Sequence, residues 1–149
     1  MSVFSIFRIS SEGMTAQRER LEAATANLAN AHTTRTAQGG PYRRRDVVLE
    51  AAAPGAAADR LTAADFGAEL ETTTGVRASV IVSDAGAGVR RYQPGHPDAD
   101  AAGFVTYPEV DPLEETVNML SAARSFEANA TAFQTAKEMA RASLRIGEA

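Results

Sequence analysis

Cysteine and tryptophan are absent from the 149 residues, and Lys137 is the single lysine. Without cysteine there is no disulfide, no thiol nucleophile and no zinc–thiolate site, and the compartment stays open. Three Tyr and six Phe leave little for a large aromatic core. No stretch approaches ~18 consecutive apolar residues, so nothing reads as a membrane span. The opening MSVFSIFRISSEGM has no basic n-region, no apolar run of secretory length and no A-x-A site, so no cleaved signal is expected. A net charge of −4 and a pI near 5.2 speak against a dedicated nucleic-acid binder. Proline is confined: five of six fall between Thr36 and Pro108, and only Pro112 lies beyond.

The proline-free ends carry the organisation. From Asp111 onward, glycine is missing until Gly147. Asp111 is placed as an N-cap, Pro112 as a first helical residue, and Glu114 and Glu115 complement the positive end of the helix dipole. Arg141 and Arg145 suit the far end, and Gly147 follows as a stop. One helix of about 35 residues is predicted, roughly 50 Å long. Met119, Ala123, Phe126, Ala130, Phe133, Ala140 and Leu144 recur at steps of four and three, broken where Lys137 falls on the stripe. That period near 3.5 is the spacing of helices that coil around a neighbour. Leu113, Val117 and Leu120 widen the stripe.

A second long helix is predicted near the start, SSEGMTAQRERLEAATANLANAHTT, with Ser10 or Ser11 as cap and an end near Ala31. Phe7, Met14, Leu21 and Leu28 fall at heptad spacing, with Gln17, Ala24 and Ala31 on adjoining seam positions. Gly13 weakens that pattern by up to ~1 kcal/mol. Val3, Phe4, Ile6, Phe7 and Ile9 cluster ahead of it. With only Arg8 beside them, packing on a neighbouring subunit outweighs a membrane-surface role.

Between the ends, strands are predicted within Tyr42–Ala51, Gly75–Asp84, Gly88–Gln93 and Gly103–Tyr107, the last two joined by the turn PGHPDADAAG. Ala52–Thr74 reads as an irregular loop with one helical turn at Ala63–Phe66. The fold class is therefore mainly α. Long terminal helices form a coiled-coil-like bundle, with a small β-rich insert and irregular loops between them. The segments are 1–34, 35–110 and 111–149.

The chemistry-bearing candidates are thin. His96, Asp98 and Asp100 offer alternate oxygens and an imidazole, but no fourth ligand stands at fixed spacing, and Gly95 and Pro97 favour a turn. Arg43–Arg45 is the only basic run; a strand edge or salt bridges across a subunit contact outweigh nucleic acid. Glu114 and Glu115 lack a nucleophile motif or phosphate-cradling loop, so helix-end electrostatics suffices. Asn27, Asn30 and Asn129 lie on helical seams, where amides are either exposed or fix register by pairing between helices.

Met14–Leu21 (MTAQRERL) followed by Ala26–Asn30 (ANLAN) resembles the N-terminal signature of bacterial flagellar rod, hook and hook-associated proteins. Val117–Leu120 (VNML), Arg124–Asn129 (RSFEAN), Ala136–Met139 (AKEM) and Leu144–Gly147 (LRIG) are similar to the C-terminal signature of the same family. Phe126 stands where Tyr is common. The connector Tyr92–Asp111 narrows the likeness to proximal rod subunits. The resemblance implies a structural, non-enzymatic subunit of the flagellar basal body that assembles by terminal-helix packing and transmits torque, with no cofactor and no metal.

Implied partners are other copies of itself, FlgB-, FlgF- and FlgG-like rod proteins, a FliE-like adaptor and the membrane ring below. Transit through the flagellar type III export apparatus is also implied, to a place outside the cytoplasmic membrane, without signal cleavage. The expected assembly residues are Phe7, Met14, Gln17, Leu21, Asn27, Leu28, Asn30, Val117, Met119, Leu120, Phe126, Asn129, Phe133, Ala140 and Leu144. A free-standing helical-hairpin binding module, such as a secreted effector or export chaperone, is the alternative.

Overall fold

Asp111 starts the longer helix as its sequence suggests: its Oδ1 accepts the Leu113 N–H at 2.9 Å and its carbonyl the Glu115 N–H at 3.0 Å. Pro112 follows at a position that needs no donor. A computed structural model of the chain describes residues 3–52, 75–82 and 88–147. In order these form helix α1 (Val3–Ala29), strands β1 (Arg45–Ala52), β2 (Gly75–Val82), β3 (Val89–Tyr92) and β4 (Phe104–Tyr107), and helix α2 (Pro112–Gly147). The expected loop over Ala52–Thr74, with its turn at Ala63–Phe66, falls almost entirely outside the described residues. β1 pairs with β2, and β3 pairs antiparallel with β4 in the register Val89↔Tyr107 to Tyr92↔Phe104.

The expected start of the first helix needs correcting. Ser10 and Ser11 do not cap it; they lie inside α1, which begins at Val3. Ser10 is buried, and the Ser11 carbonyl accepts from the Thr15 hydroxyl at 3.0 Å, an ordinary interior bond one turn on. A small polar side chain that reads as a cap is here a place where something packs close. The end falls at Ala29, with Asn30 and Ala31 continuing in turn bonds.

The chain falls into two compact units. The first comprises Met1–Glu19, Leu49–Ser79 and Ala122–Ala149; the second comprises Arg20–Val48 and Val80–Ser121. In the first, the Phe7 and Phe133 rings meet at 4.8 Å between centroids. The space a Gly13 side chain would fill is occupied by the Asn129 amide. Later residues of α1 thus meet earlier residues of α2, and the two segments run antiparallel. Glu12 accepts the Val76 N–H at 3.1 Å, which ties the start of β2 to α1. In the second unit, the Thr25 hydroxyl lies 3.9 Å from the Met119 sulfur. The β3–β4 hairpin is closed by Asp100, whose Oδ1 accepts the N–H groups of Ala102 and Phe104. Gly103 turns with φ +81°, a conformation side chains rarely adopt.

What is buried departs from the predicted stripes. The interior holds Ala16, Ala23, Ala24, Ala31, Ala122 and Ala136, with Ser5, Ser10, Asn27 and Glu115; Val105 is the one large apolar side chain fully buried among the described residues. On α2 the inward series Glu115, Ala122, Asn129 and Ala136 keeps steps of seven, displaced from the large-residue stripe. Phe126 and Leu144 from that stripe are exposed. Alanines let backbones approach closely, and several bulky residues are left outside, although Phe133 still meets Phe7.

Candidate assembly surface

The short segment before β1 ties the helix ends of the second unit together by polar contacts. Asn27, 1% exposed, donates from Nδ2 to the Arg45 carbonyl at 2.8 Å and accepts the Arg45 N–H at 2.9 Å. The Tyr42 hydroxyl donates to the same Oδ1 at 3.0 Å. Burial, more than any charge nearby, pushes the Tyr42 phenol up, so it stays a donor. Next along, Arg44 Nε meets Glu115 Oε1 at 2.8 Å and Asp46 at 3.5 Å, while Nη2 meets Glu114 at 3.0 Å. Partial burial works against the Arg44 charge, but the carboxylates of Asp46, Glu114 and Glu115 outweigh it and raise its pKa further. Arg44 therefore pairs within its own chain, where the sequence left open a solvated strand edge or acidic neighbours across a subunit contact.

The His96–Asp100 turn bonds partly to its own backbone and partly to other segments of the chain. His96 Nδ1 accepts the Asp98 N–H at 3.1 Å, and Asp98 accepts from Thr34 at 2.8 Å. Asp100 meets Arg90 at 2.7 Å. Arg90 also lies 4.7 Å above the Phe104 ring. A cleft of about 520 Å³ in the same unit, lined by His32, Arg44, Asp46, Arg91, Glu109 and Glu114 among others, mixes both charge signs.

The expected assembly residues divide by placement. Phe7 meets Phe133 within the chain, Met119 lies beside Thr25, and Asn27 is consumed by Arg45 and Tyr42. Asn30 and Asn129 bond the carbonyls of Ala26 and Ser125 one turn back. Met14, Gln17, Leu21, Leu28 and Ala140 are half-buried. Val117, Leu120, Phe126 and Leu144 are exposed, and so are Leu113 and Met139, which the expected set omits. At the start of α2, Leu113 is 73% exposed, Val117 58% and Leu120 53%. In the second unit, Val80, Ile81 and Val82 of β2 are exposed as well, and so is Val48 of β1. Glu115 and Arg44 were missed as a structural pair. No spacing in the sequence links them, since the two lie 71 residues apart.

Two flagellar family models match the chain: "Flagella basal body rod protein" over residues 7–35 and "Flagellar basal body rod FlgEFG protein C-terminal" over residues 101–146. Curated relatives match over nearly the whole length. The flagellar basal-body rod protein FlgC of Escherichia coli is 38% identical, covering 99% of this chain and 100% of its own. That of Bacillus subtilis is 37% identical, covering 99% and 100%. That of Borreliella burgdorferi is 36% identical, covering 98% of each. At this identity over full length, the chain belongs to the FlgC family of flagellar basal-body rod proteins.

Proposed function

We propose that this structural rod subunit assembles by packing its terminal helices against those of other copies and of neighbouring rod proteins, and transmits torque through the packed helices. The observation that carries the reading is the inversion on α2. Its fully buried positions are taken by alanine and a carboxylate, while Leu113, Val117, Leu120, Met139 and Leu144 face solvent. Apolar side chains of this size gain roughly 1.5–3 kcal/mol each on full burial, and a coiled-coil-like contact between subunits would supply it. Of the expected assembly residues, those free to act outward are Val117, Leu120, Phe126 and Leu144. Segments 1–34 and 111–149 would form the rod core, with 35–110 as the insert between them. Among the described residues no helix is long and apolar enough to cross a membrane. A place outside the cytoplasmic membrane, reached through the flagellar export apparatus without cleavage, completes the reading.

The test is truncation. Chains lacking residues 1–30 or 113–149 should fail to enter rods and fail to restore swimming to cells without their own copy. Normal assembly by either truncated chain would end the proposal.

A further inference from the structure

We propose that the ion pair between Arg44 and the buried Glu115 sets the rotational phase of the first turns of α2, and thereby selects which residues that helix turns outward; the proposal rests on, and deepens, the rod reading. At about 100° per residue, Leu113 and Val117 lie about 160° from Glu115 and Leu120 about 140° from it. Glu115 is 2% exposed, and these three are the exposed apolar residues opposite it. Hydrophobic burial alone favours the other phase, with the three apolar side chains inward and the carboxylate in water. The chain adopts the costly phase, so a specific interaction must select it.

Arg44 supplies that interaction. Its Nε reaches Glu115 at 2.8 Å, and its guanidinium also engages Glu114 and Asp46. The adjacent backbone is held still, because Arg45 is bonded through both its N–H and its carbonyl to Asn27 on α1. The cation is thus presented at one fixed place, and a helix that buries its carboxylate there must expose Leu113 and Val117. Ala23 and Ala24 of α1 line a small hollow with Glu115, and Arg20 and Arg45 line it too. Arg44 is thus the cation bonded to the carboxylate but not the only one near it. A pair with one buried member adds little net stability, but removing the cation leaves the buried carboxylate without that partner. It specifies an orientation instead of deepening the fold. Arg44 and Glu115 are positioning residues for the surface that Val117 and Leu120 form.

The chain's lack of cysteine makes the test direct. In the full-length monomer, Val117→Cys should react with a thiol reagent as an exposed group. Adding Arg44→Met removes the cation bonded to the Glu115 carboxylate. The helix start should then turn, and labelling of V117C should slow by about tenfold or more while the helical circular dichroism is kept. Adding Glu115→Met as well removes that carboxylate and leaves an apolar inward residue, so the original labelling rate should return. An unchanged rate in R44M overturns the proposal. So does faster labelling with lost helical signal, which means fraying, or a double variant that does not recover. Labelling is read on monomers, so such a failure leaves rod assembly untouched. If labelling follows the prediction but the turned variant still builds rods, the outward face is not the rod contact.

Discussion

Asn27 and Arg45 exchange two hydrogen bonds, 2.8 and 2.9 Å long, in which a helix side chain meets the first residue of β1 as a neighbouring strand would. The carboxamide fits because it carries a donor and an acceptor side by side. Asn27→Ala removes both, leaves Tyr42 without its acceptor, and should cost about 2–3 kcal/mol in urea unfolding. Asn27→Asp keeps the acceptor but turns the donor into a second oxygen facing a carbonyl, and should also destabilise. Stability equal to the unsubstituted chain in both variants would show the pair to be incidental.

Phe7 and Phe133 lie 4.8 Å apart with rings tilted by 48°. A double-mutant cycle with Phe7→Leu and Phe133→Leu should return a coupling of about 0.5–1.5 kcal/mol. Strictly additive losses would mean that the rings do not meet in solution.

At Gly13, a methyl group would stand 3.0 Å from both the Nδ2 and Oδ1 atoms of Asn129. Helix propensity favours alanine by up to about 1 kcal/mol, so contact and propensity oppose each other. Gly13→Ala should therefore stabilise more in an Asn129→Ala background than in the unsubstituted chain. Equal effects in the two backgrounds would rule out the crowding.

Asp100 is held below its ordinary value of 3.8, first by the Phe104 N–H, then by the Ala102 N–H and by Arg90. Its folded pKa is the lower one, so an unfolded hairpin binds the proton first. The stabilisation is present above pH 3.8 and is lost as pH falls through the folded value. Asp100→Ala should protect the Phe104 amide less from hydrogen exchange at about pH 6 than the unsubstituted chain does. The gap should close on acidification below 3.8. A pH-independent gap would assign the effect to backbone geometry alone.

Much of the architecture was legible because its signals are local. Asp111 and Pro112 mark the start of α2, and short valine-containing runs set off by glycine turns mark the strands. Which face of each helix lies inward was not legible. In an alanine-rich helix, large residues at coiled-coil spacing look like the core, and only tertiary contacts show that Ala122 and Ala136 occupy it. Ser10 reads as a cap for the same reason: capping and close packing both favour a small side chain. The seam amides were legible as special, but Asn27's partner, a backbone amide 18 residues on, is fixed by the fold and not by spacing. Glu115 was read as helix-end electrostatics because Glu114 beside it fits that role; nothing local separates a solvated carboxylate from one paired 71 residues away.

The most direct measurement replaces Leu113, Val117 and Leu120 together by serine in the full chain. All three are exposed, so monomer unfolding should shift by no more than about 0.5 kcal/mol per site. Incorporation into rods and swimming in cells lacking their own copy should be lost. Normal swimming with the triple variant, or a monomer that no longer folds, would contradict the claim that these side chains are kept for partners.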